Sequence, residues 1–320
     1  MSGLLAELKE RVLDGGEISE EEARHLVDAP LHSLFEAATS IRERFRGDTV
    51  DLCAIVNAKS GNCSEDCAYC AQSTRHRTGI DVYPWLGREE ILRRAEEARS
   101  SGAKRFCIVT SGKRLSRGEI EYVASAVGGI RRIGLLPCAT LGLLDREDLD
   151  RLKDAGLDRF HHNLETSESF FPNICTTHTY DDKLRTIDAV KQAGLSLCSG
   201  GIFGIGESWD DRLGMAFTLK RLDVDSVPIN FLMPVKGTPL GRLPLLEPLE
   251  ALRIVGIYRF ILPQKEIRLC GGRVQTLGEL NSMVFLAGAD GLLIGNYLTM
   301  KGRSADDDIR LIESLGLRCA

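Results

Sequence analysis

From about residue 52 the chain settles into a rhythm: a short apolar run, then a longer charged stretch whose apolar positions recur every three to four residues. The apolar runs are CAIVNA (53–58), AKRFCIVTS (103–111), RRIGLLPC (131–138), LDRFHHNLE (157–165), LSLCSGGIFG (195–204), DSVPINFL (225–232), EIRLCGG (266–272) and GLLIGN (291–296), and they predict strands. The stretches between them predict helices near 88–101, 116–127, 145–155, 180–193, 209–221, 247–260 and 276–287. Three of these close on Ala-Gly, at Ala155-Gly156, Ala193-Gly194 and Ala287-Gly288, and glycine just past a helix is a stop signal. Eight strand–helix units are the count of an α/β fold of the (β/α)8 TIM type. Ahead of them, residues 1–45 predict a helical extension. Leu4, Leu5, Leu8 and Val12 form one apolar stripe, and Ser19 followed by Glu22 marks a capped helix start. The expected organisation is an extension over 1–45, a barrel over 46–315 and a tail over 316–320.

Composition narrows the function. The 320 residues are 43% hydrophobic, enough for a sizeable core, and the net charge of -5 comes from intermixed acidic and basic residues. That balance gives no reason to expect nucleic acid as a partner. The first residues lack the apolar core of a secretory segment, and no run reaches the roughly 18 apolar residues of a membrane span. A cytoplasmic protein is therefore expected. Ten cysteines are many for that compartment, where stable disulfides are rare, so metal binding is the expected use of several.

Cys63, Cys67 and Cys70 follow the first strand in the spacing C-x3-C-x2-C. Zinc, an iron-sulfur cluster or free thiols could each account for three crowded cysteines. A structural zinc site takes four protein ligands, and only His76 stands near as a fourth. Three thiolates on a four-iron cube leave one iron open for a small molecule. A second set lies on separate strands: Cys107, Cys138, Cys198 and Cys270. Arg268 shares the strand face of Cys270, because side chains two apart in a strand point the same way. Inward positions of different barrel strands can converge, so a second metal site is open. Cys53, Cys175 and Cys319 receive no ligand role. His161 and His162 are adjacent, so alternation sends them to opposite faces, and neither is read as a ligand. Asn163 and Glu165 end the fourth strand and Asn230 the sixth, at the mouth where a barrel builds its site.

The triplet, with Tyr69 before its last cysteine, resembles the signature of the radical S-adenosylmethionine superfamily. YCAQS (69–73), RFCIVTSG (105–112), HHNLETS (161–167), TTHTYDDKL (176–184), CSGGIFGIGES (198–208), SVPINFLMPVKGTPL (226–240) and IRLCGGR (267–273) resemble the biotin synthase family within it, over roughly residues 40–315. The resemblance implies a [4Fe-4S] cluster on Cys63, Cys67 and Cys70 whose open iron binds S-adenosylmethionine, with Tyr69 near the adenine, Glu165 near the ribose, and the Gly200-Gly201 strand end close to the methionine part. It implies an auxiliary [2Fe-2S] cluster on Cys107, Cys138, Cys198 and Arg268. Cys270 departs from the family pattern and opens an alternative, a four-iron auxiliary cluster with Cys270 as the fourth ligand. Asn163 and Asn230 match positions that hydrogen-bond the ureido ring of dethiobiotin. The implied activity is radical insertion of sulfur from the auxiliary cluster at C9 and C6 of dethiobiotin. The implied partners are a flavodoxin or ferredoxin as electron donor, iron-sulfur assembly proteins and a second copy of the chain in a homodimer.

Overall fold

The apolar runs form strands β1 (Thr49–Lys59), β2 (Arg105–Thr110), β3 (Leu136–Thr140), β4 (Arg159–His161), β5 (Ser196–Cys198), β6 (Gly201–Phe203), β7 (Ser226–Phe231), β8 (Glu266–Leu269) and β9 (Gly291–Leu293). The structure is a computed structural model and describes residues 2–298 and 302–320. Every strand pairing is parallel, in the order β1-β2-β3-β4-β5-β7-β8-β9, and β9 pairs back onto β1. The sheet is thereby closed into an eight-stranded barrel, the (β/α)8 fold that the rhythm predicts. Strand β6 is a short spur on β7, and β10 (Arg318–Cys319) pairs with the first residues of β1.

The helices are α1 (Ser2–Leu13), α2 (Glu20–Leu26), α3 (Leu31–Arg46), α4 (Arg88–Ser100), α5 (Arg117–Ile133), α6 (Arg146–Asp154), α7 (Tyr180–Gln192), α8 (Trp209–Arg221), α9 (Pro248–Ile261), α10 (Arg273–Leu277), α11 (Met283–Leu286) and α12 (Ala305–Ser314). Ser19, Ser116, Thr179 and Ser208 each open a helix with a reciprocal capping box, which satisfies otherwise orphaned N–H groups and fixes where the helix begins. In α1, Leu5, Leu8 and Val12 are buried, as their stripe predicts, and α1 packs on α3, which in turn packs on α9. Among the described residues no helix is long and apolar enough to cross a membrane.

Three elements differ from the sequence reading, each for a packing reason. Helix α5 runs on to Ile133 through Gly128-Gly129, because Gly129 is where it crosses α4: a Cβ there would sit 2.6 Å from Leu92 Cδ2. The fifth apolar run splits into β5 and β6, because at Gly200 the chain passes so close to β7 that a Cβ would lie 2.1 Å from the Pro228 carbonyl oxygen. The helix expected over 276–287 is three short pieces, broken at Gly278 with its φ of 50°.

Strand alternation creates two separate cores. Outward-facing Phe106, Ile108, Phe160, Leu197, Val227, Ile229, Ile267 and Leu292 are buried beneath the helices. A smaller inner cluster contains Cys53, Cys107, Val109, Cys138, Cys270 and Leu293.

Candidate active site

The segment after β1 folds back on itself. Gly61 and Asn62 adopt left-handed φ values of 73° and 54°, and a Cβ on Gly61 would meet Val82 at 2.7 Å. The loop is then tied across: Cys63 N–H donates to the Gln72 carbonyl at 3.0 Å, Thr74 N–H to the Cys63 carbonyl at 2.8 Å, and Cys70 N–H to the Cys67 carbonyl at 2.9 Å. These bonds bring Cys63, Cys67 and Cys70 to the rim of one cavity of about 300 Å³ at the C-terminal end of the barrel strands. No cysteine of the ten is in a disulfide. Burial pushes the Cys70 thiol up to about 11, so a metal must displace its proton.

The opposite rim is built from β4, β6 and β7. Tyr69, Asn163, Glu165 and Asn230 all line the cavity. Glu165 holds a φ of 75°, rare for a residue with a side chain, and is pinned there by its N–H to the Gly200 carbonyl at 3.1 Å and by Ile202 N–H to its own carbonyl at 2.9 Å. Burial raises the Glu165 carboxyl, and Lys183 opposes the rise. The Lys183 ammonium also donates to the Asn163 carbonyl at 2.9 Å. The Asn163 side chain donates weakly to Glu165 at 3.5 Å, and its Oδ1 is buried without a partner among the described residues. Asn230 is partly engaged: it donates to the Gly201 carbonyl at 3.2 Å and accepts from Gly271 N–H at 2.9 Å. Gly200 and Gly201 are packing glycines, since a Cβ on Gly201 would lie 2.5 Å from the Glu165 carbonyl oxygen. They shape the wall from behind and are not among the cavity-lining residues.

Below the mouth lie the inner thiols. Cys107 and Cys138 are register partners on β2 and β3, and Cys198 pairs with His161 across β4 and β5. Cys270 and Arg268 both line the cavity from β8, as their shared face predicts. Cys53, which the sequence reading leaves as packing, packs against this same thiol cluster; Asp51, Cys53 and Ile55 alternate on β1, and that period was the available signal. Burial raises all five thiols, Cys138 to about 11 and Cys270 to about 12.

Arg268 is fully enclosed and committed to charge partners. Its guanidinium donates to the carboxylates of Asp51 and Glu266. Burial opposes the charge, and these two carboxylates outweigh it, so the group is held protonated. Glu266 also accepts from Arg159 at 3.0 Å and from Ser226 at 3.0 Å. The result is a largely buried network of charged and polar side chains on the inner strand faces.

The histidine pair departs from expectation. His161 and His162 both line the cavity, because β4 ends at His161 and strict alternation ends with it. Burial, then Arg159 and Arg268, lower His161 to about 3, so it is neutral. Cys175, given no ligand role by the sequence, is buried, with Sγ 3.9 Å from Cys67 Sγ and 3.2 Å from His178 Nδ1.

A parallel barrel with three convergent thiols beyond its first strand and a wide mouth above defines a radical S-adenosylmethionine enzyme. The Radical SAM superfamily model matches residues 58–219, and the Biotin and Thiamin Synthesis associated domain matches residues 228–318. The chain belongs to the biotin synthase family. It is 55% identical to the biotin synthase of Thermodesulfovibrio yellowstonii over 92% of each chain, and 50% identical to that of Pelotomaculum thermopropionicum over 97% of this chain and 98% of the other. In fold it is similar to methylornithine synthase, with a TM-score of 0.85 at 21% identity over 98% of this chain and 97% of the other. It is equally similar in fold to HydG, a maturase of the [FeFe]-hydrogenase, with a TM-score of 0.85 at 18% identity over 100% of this chain and 76% of that one. The family carries a [4Fe-4S] cluster and uses S-adenosylmethionine.

Proposed function

We propose that the protein converts dethiobiotin to biotin by radical sulfur insertion at C9 and C6. The observation that carries this reading is one cavity lined by the three rim thiols and by Cys53 and Cys270, which in turn pack in one cluster with Cys107 and Cys138. When bound, the [4Fe-4S] cluster with S-adenosylmethionine supplies a 5′-deoxyadenosyl radical, and the auxiliary cluster supplies sulfur.

Cys63, Cys67 and Cys70 would hold the [4Fe-4S] cluster, since three soft donors on one rim suit it. Tyr69 and Glu165 flank the cofactor, and Gly200 and Gly201 let the strands approach closely enough to set the Glu165 backbone. Asn163 and Asn230 orient the substrate. The unpartnered Asn163 Oδ1 supports this role, because a ureido N–H can satisfy it. The largely buried interior keeps water from a carbon radical, so orientation and exclusion replace acid-base chemistry.

Cys107, Cys138 and Cys198 would hold the auxiliary cluster, with a fourth ligand from β8 or the residue after it. Arg268 is the family's fourth ligand and would give [2Fe-2S]. Its engagement with Asp51 and Glu266 supports Cys270 in that place, with a four-iron cluster as the alternative. Anaerobic iron and sulfide counting with Mössbauer spectroscopy on the parent and Cys270→Ser decides between them: unchanged two-iron signals in both assign Arg268. Turnover of dethiobiotin with S-adenosylmethionine and reductant tests the reaction, and intact clusters without biotin formation would refute it. A flavodoxin or ferredoxin donor, assembly proteins, a homodimer and a cytoplasmic location complete the reading.

A further inference from the structure

A third group of metal-type donors lies beside the rim triplet. The loop that follows the turn at Phe171–Asn173 brings Cys175 and His178 against Cys67, and ligand atoms of all three lie within 4.8 Å of one another. Two thiolates on one tetrahedral ion, at metal–sulfur distances near 2.3 Å, stand about 3.8 Å apart. Cys67 Sγ and Cys175 Sγ are 3.9 Å apart. A thiolate and an imidazole nitrogen on the same ion stand about 3.6 Å apart by the same geometry. His178 Nδ1 is 3.2 Å from Cys175 Sγ.

The surroundings hold these donors in place. Glu65 lies 2.6 Å from the same nitrogen, so an ion held there has this carboxylate beside it to balance its charge and fix the ring. Thr177 donates to the same Glu65 carboxylate at 2.8 Å. The Asp66 carboxylate collects Thr176 N–H at 2.9 Å and Thr177 N–H at 3.3 Å. Ala68 N–H donates to the Ile174 carbonyl at 2.8 Å, which ties the two chain segments together directly. The four-iron cluster as assigned above uses neither Cys175 nor His178.

We propose that, before the rim cluster is built, Cys67, Cys175 and His178 hold a single thiophilic divalent cation. Cys67 cannot serve this ion and the cluster together, so the ion either enters the cluster or must leave. Ferrous iron and zinc share the required chemistry. The site is separable from the cluster assignment, because the cluster needs Cys63 and Cys70 and this site does not.

The test is anaerobic titration of cluster-free, full-length protein with cobalt(II), read by thiolate-to-cobalt charge-transfer absorption. The deeper barrel thiols also take cobalt, and their share serves as an internal control for folding. Relative to the parent, Cys175→Ser and Cys67→Ser each lose one equivalent, whereas Cys63→Ser and Cys70→Ser retain it. Glu65→Gln weakens that equivalent roughly 10–100-fold. An unchanged equivalent in Cys175→Ser would overturn the proposal. So would its loss in Cys63→Ser, which would put the ion on the triplet. The source is read by preloading one equivalent of isotopically labelled ferrous iron, or of zinc, before supplying unlabelled iron and sulfide. Label retained in the rim cluster identifies an iron-entry site. Zinc that slows cluster formation in the parent but not in Cys175→Ser identifies a zinc site. Neither effect would refute an ion that precedes the cluster.

Discussion

Replacing Arg268 by methionine removes the one cation that faces both Asp51 and Glu266 from the barrel interior. The side chain is 2% exposed and Glu266 is buried with it, while Asp51 keeps some contact with solvent. Breaking a buried ion pair by deleting one partner typically costs about 3–5 kcal/mol. Two observations place this case at the low end. Glu266 keeps Arg159 and Ser226, each at 3.0 Å, and Asp51 keeps Arg105 Nε at 3.9 Å. A loss of about 3 kcal/mol follows. At the lower end of roughly 2–4 °C per kcal/mol, suited to a long chain, the midpoint should fall by about 6 °C. Arg268→Lys keeps the charge but not the two-pronged geometry and should fall between methionine and parent. The assay is thermal unfolding of cluster-free protein by far-ultraviolet circular dichroism at one scan rate, with Asp51→Asn and the double variant completing a cycle. The double variant should be less destabilised than the sum of the singles by more than about 1 kcal/mol, since it leaves one fewer charge unpaired. A midpoint within 1 °C of the parent, or strict additivity, would show that the network is not held together by these pairs.

Three further outcomes are expected. Each of Cys63→Ser, Cys67→Ser and Cys70→Ser should lose about four irons per chain while the deeper iron remains, as three thiolates are needed to seat the cube; iron analysis before and after reconstitution checks this. His162 is buried and held well below its ordinary value of 6.5, first by burial and then by Lys183 and His178. The folded chain therefore keeps it neutral while the unfolded chain takes a proton. Its stabilising effect is complete above about pH 6.5 and falls by about 1.4 kcal/mol per unit below that. His162→Phe should make the midpoint fall less steeply between pH 6.5 and 5.5, with His161 supplying part of the slope that remains, and parallel profiles would contradict the argument. Gly201→Ala puts a methyl 2.5 Å from the Glu165 carbonyl oxygen. It should cost about 1–3 kcal/mol and weaken S-adenosylmethionine binding by displacing Glu165, which calorimetric titration and thermal unfolding read separately.

Much of this was legible along the chain, and the exceptions share a cause. All eight apolar runs became barrel strands, because the strand face beneath the helices must be apolar even where the inner face carries Arg159, Glu266 or Arg268. Period two put Arg268 and Cys270 on one strand face, and both line the cavity. Gly129 and Gly200 misled, since glycine marks a stop and a close approach with the same letter, and only the partner, Leu92 or Pro228, distinguishes them. Cys175 and His178 could not be paired with Cys67 and Glu65 by any local pattern: 108 residues separate the two cysteines, and the contact exists only once the barrel is closed. The short β10 was equally hidden, as two residues carry no periodicity.

The pairing of β9 with β1 also orders events in folding. β1 is the first barrel strand along the chain and its second neighbour, Gly291–Leu293, is the last, so the ring closes only when all eight strands are in place. Until then Cys53, Cys107, Cys138 and Cys270 cannot pack into one cluster. A chain caught with its ring open would carry these thiols on separate strands, and a metal that needs several of them would have to wait for closure.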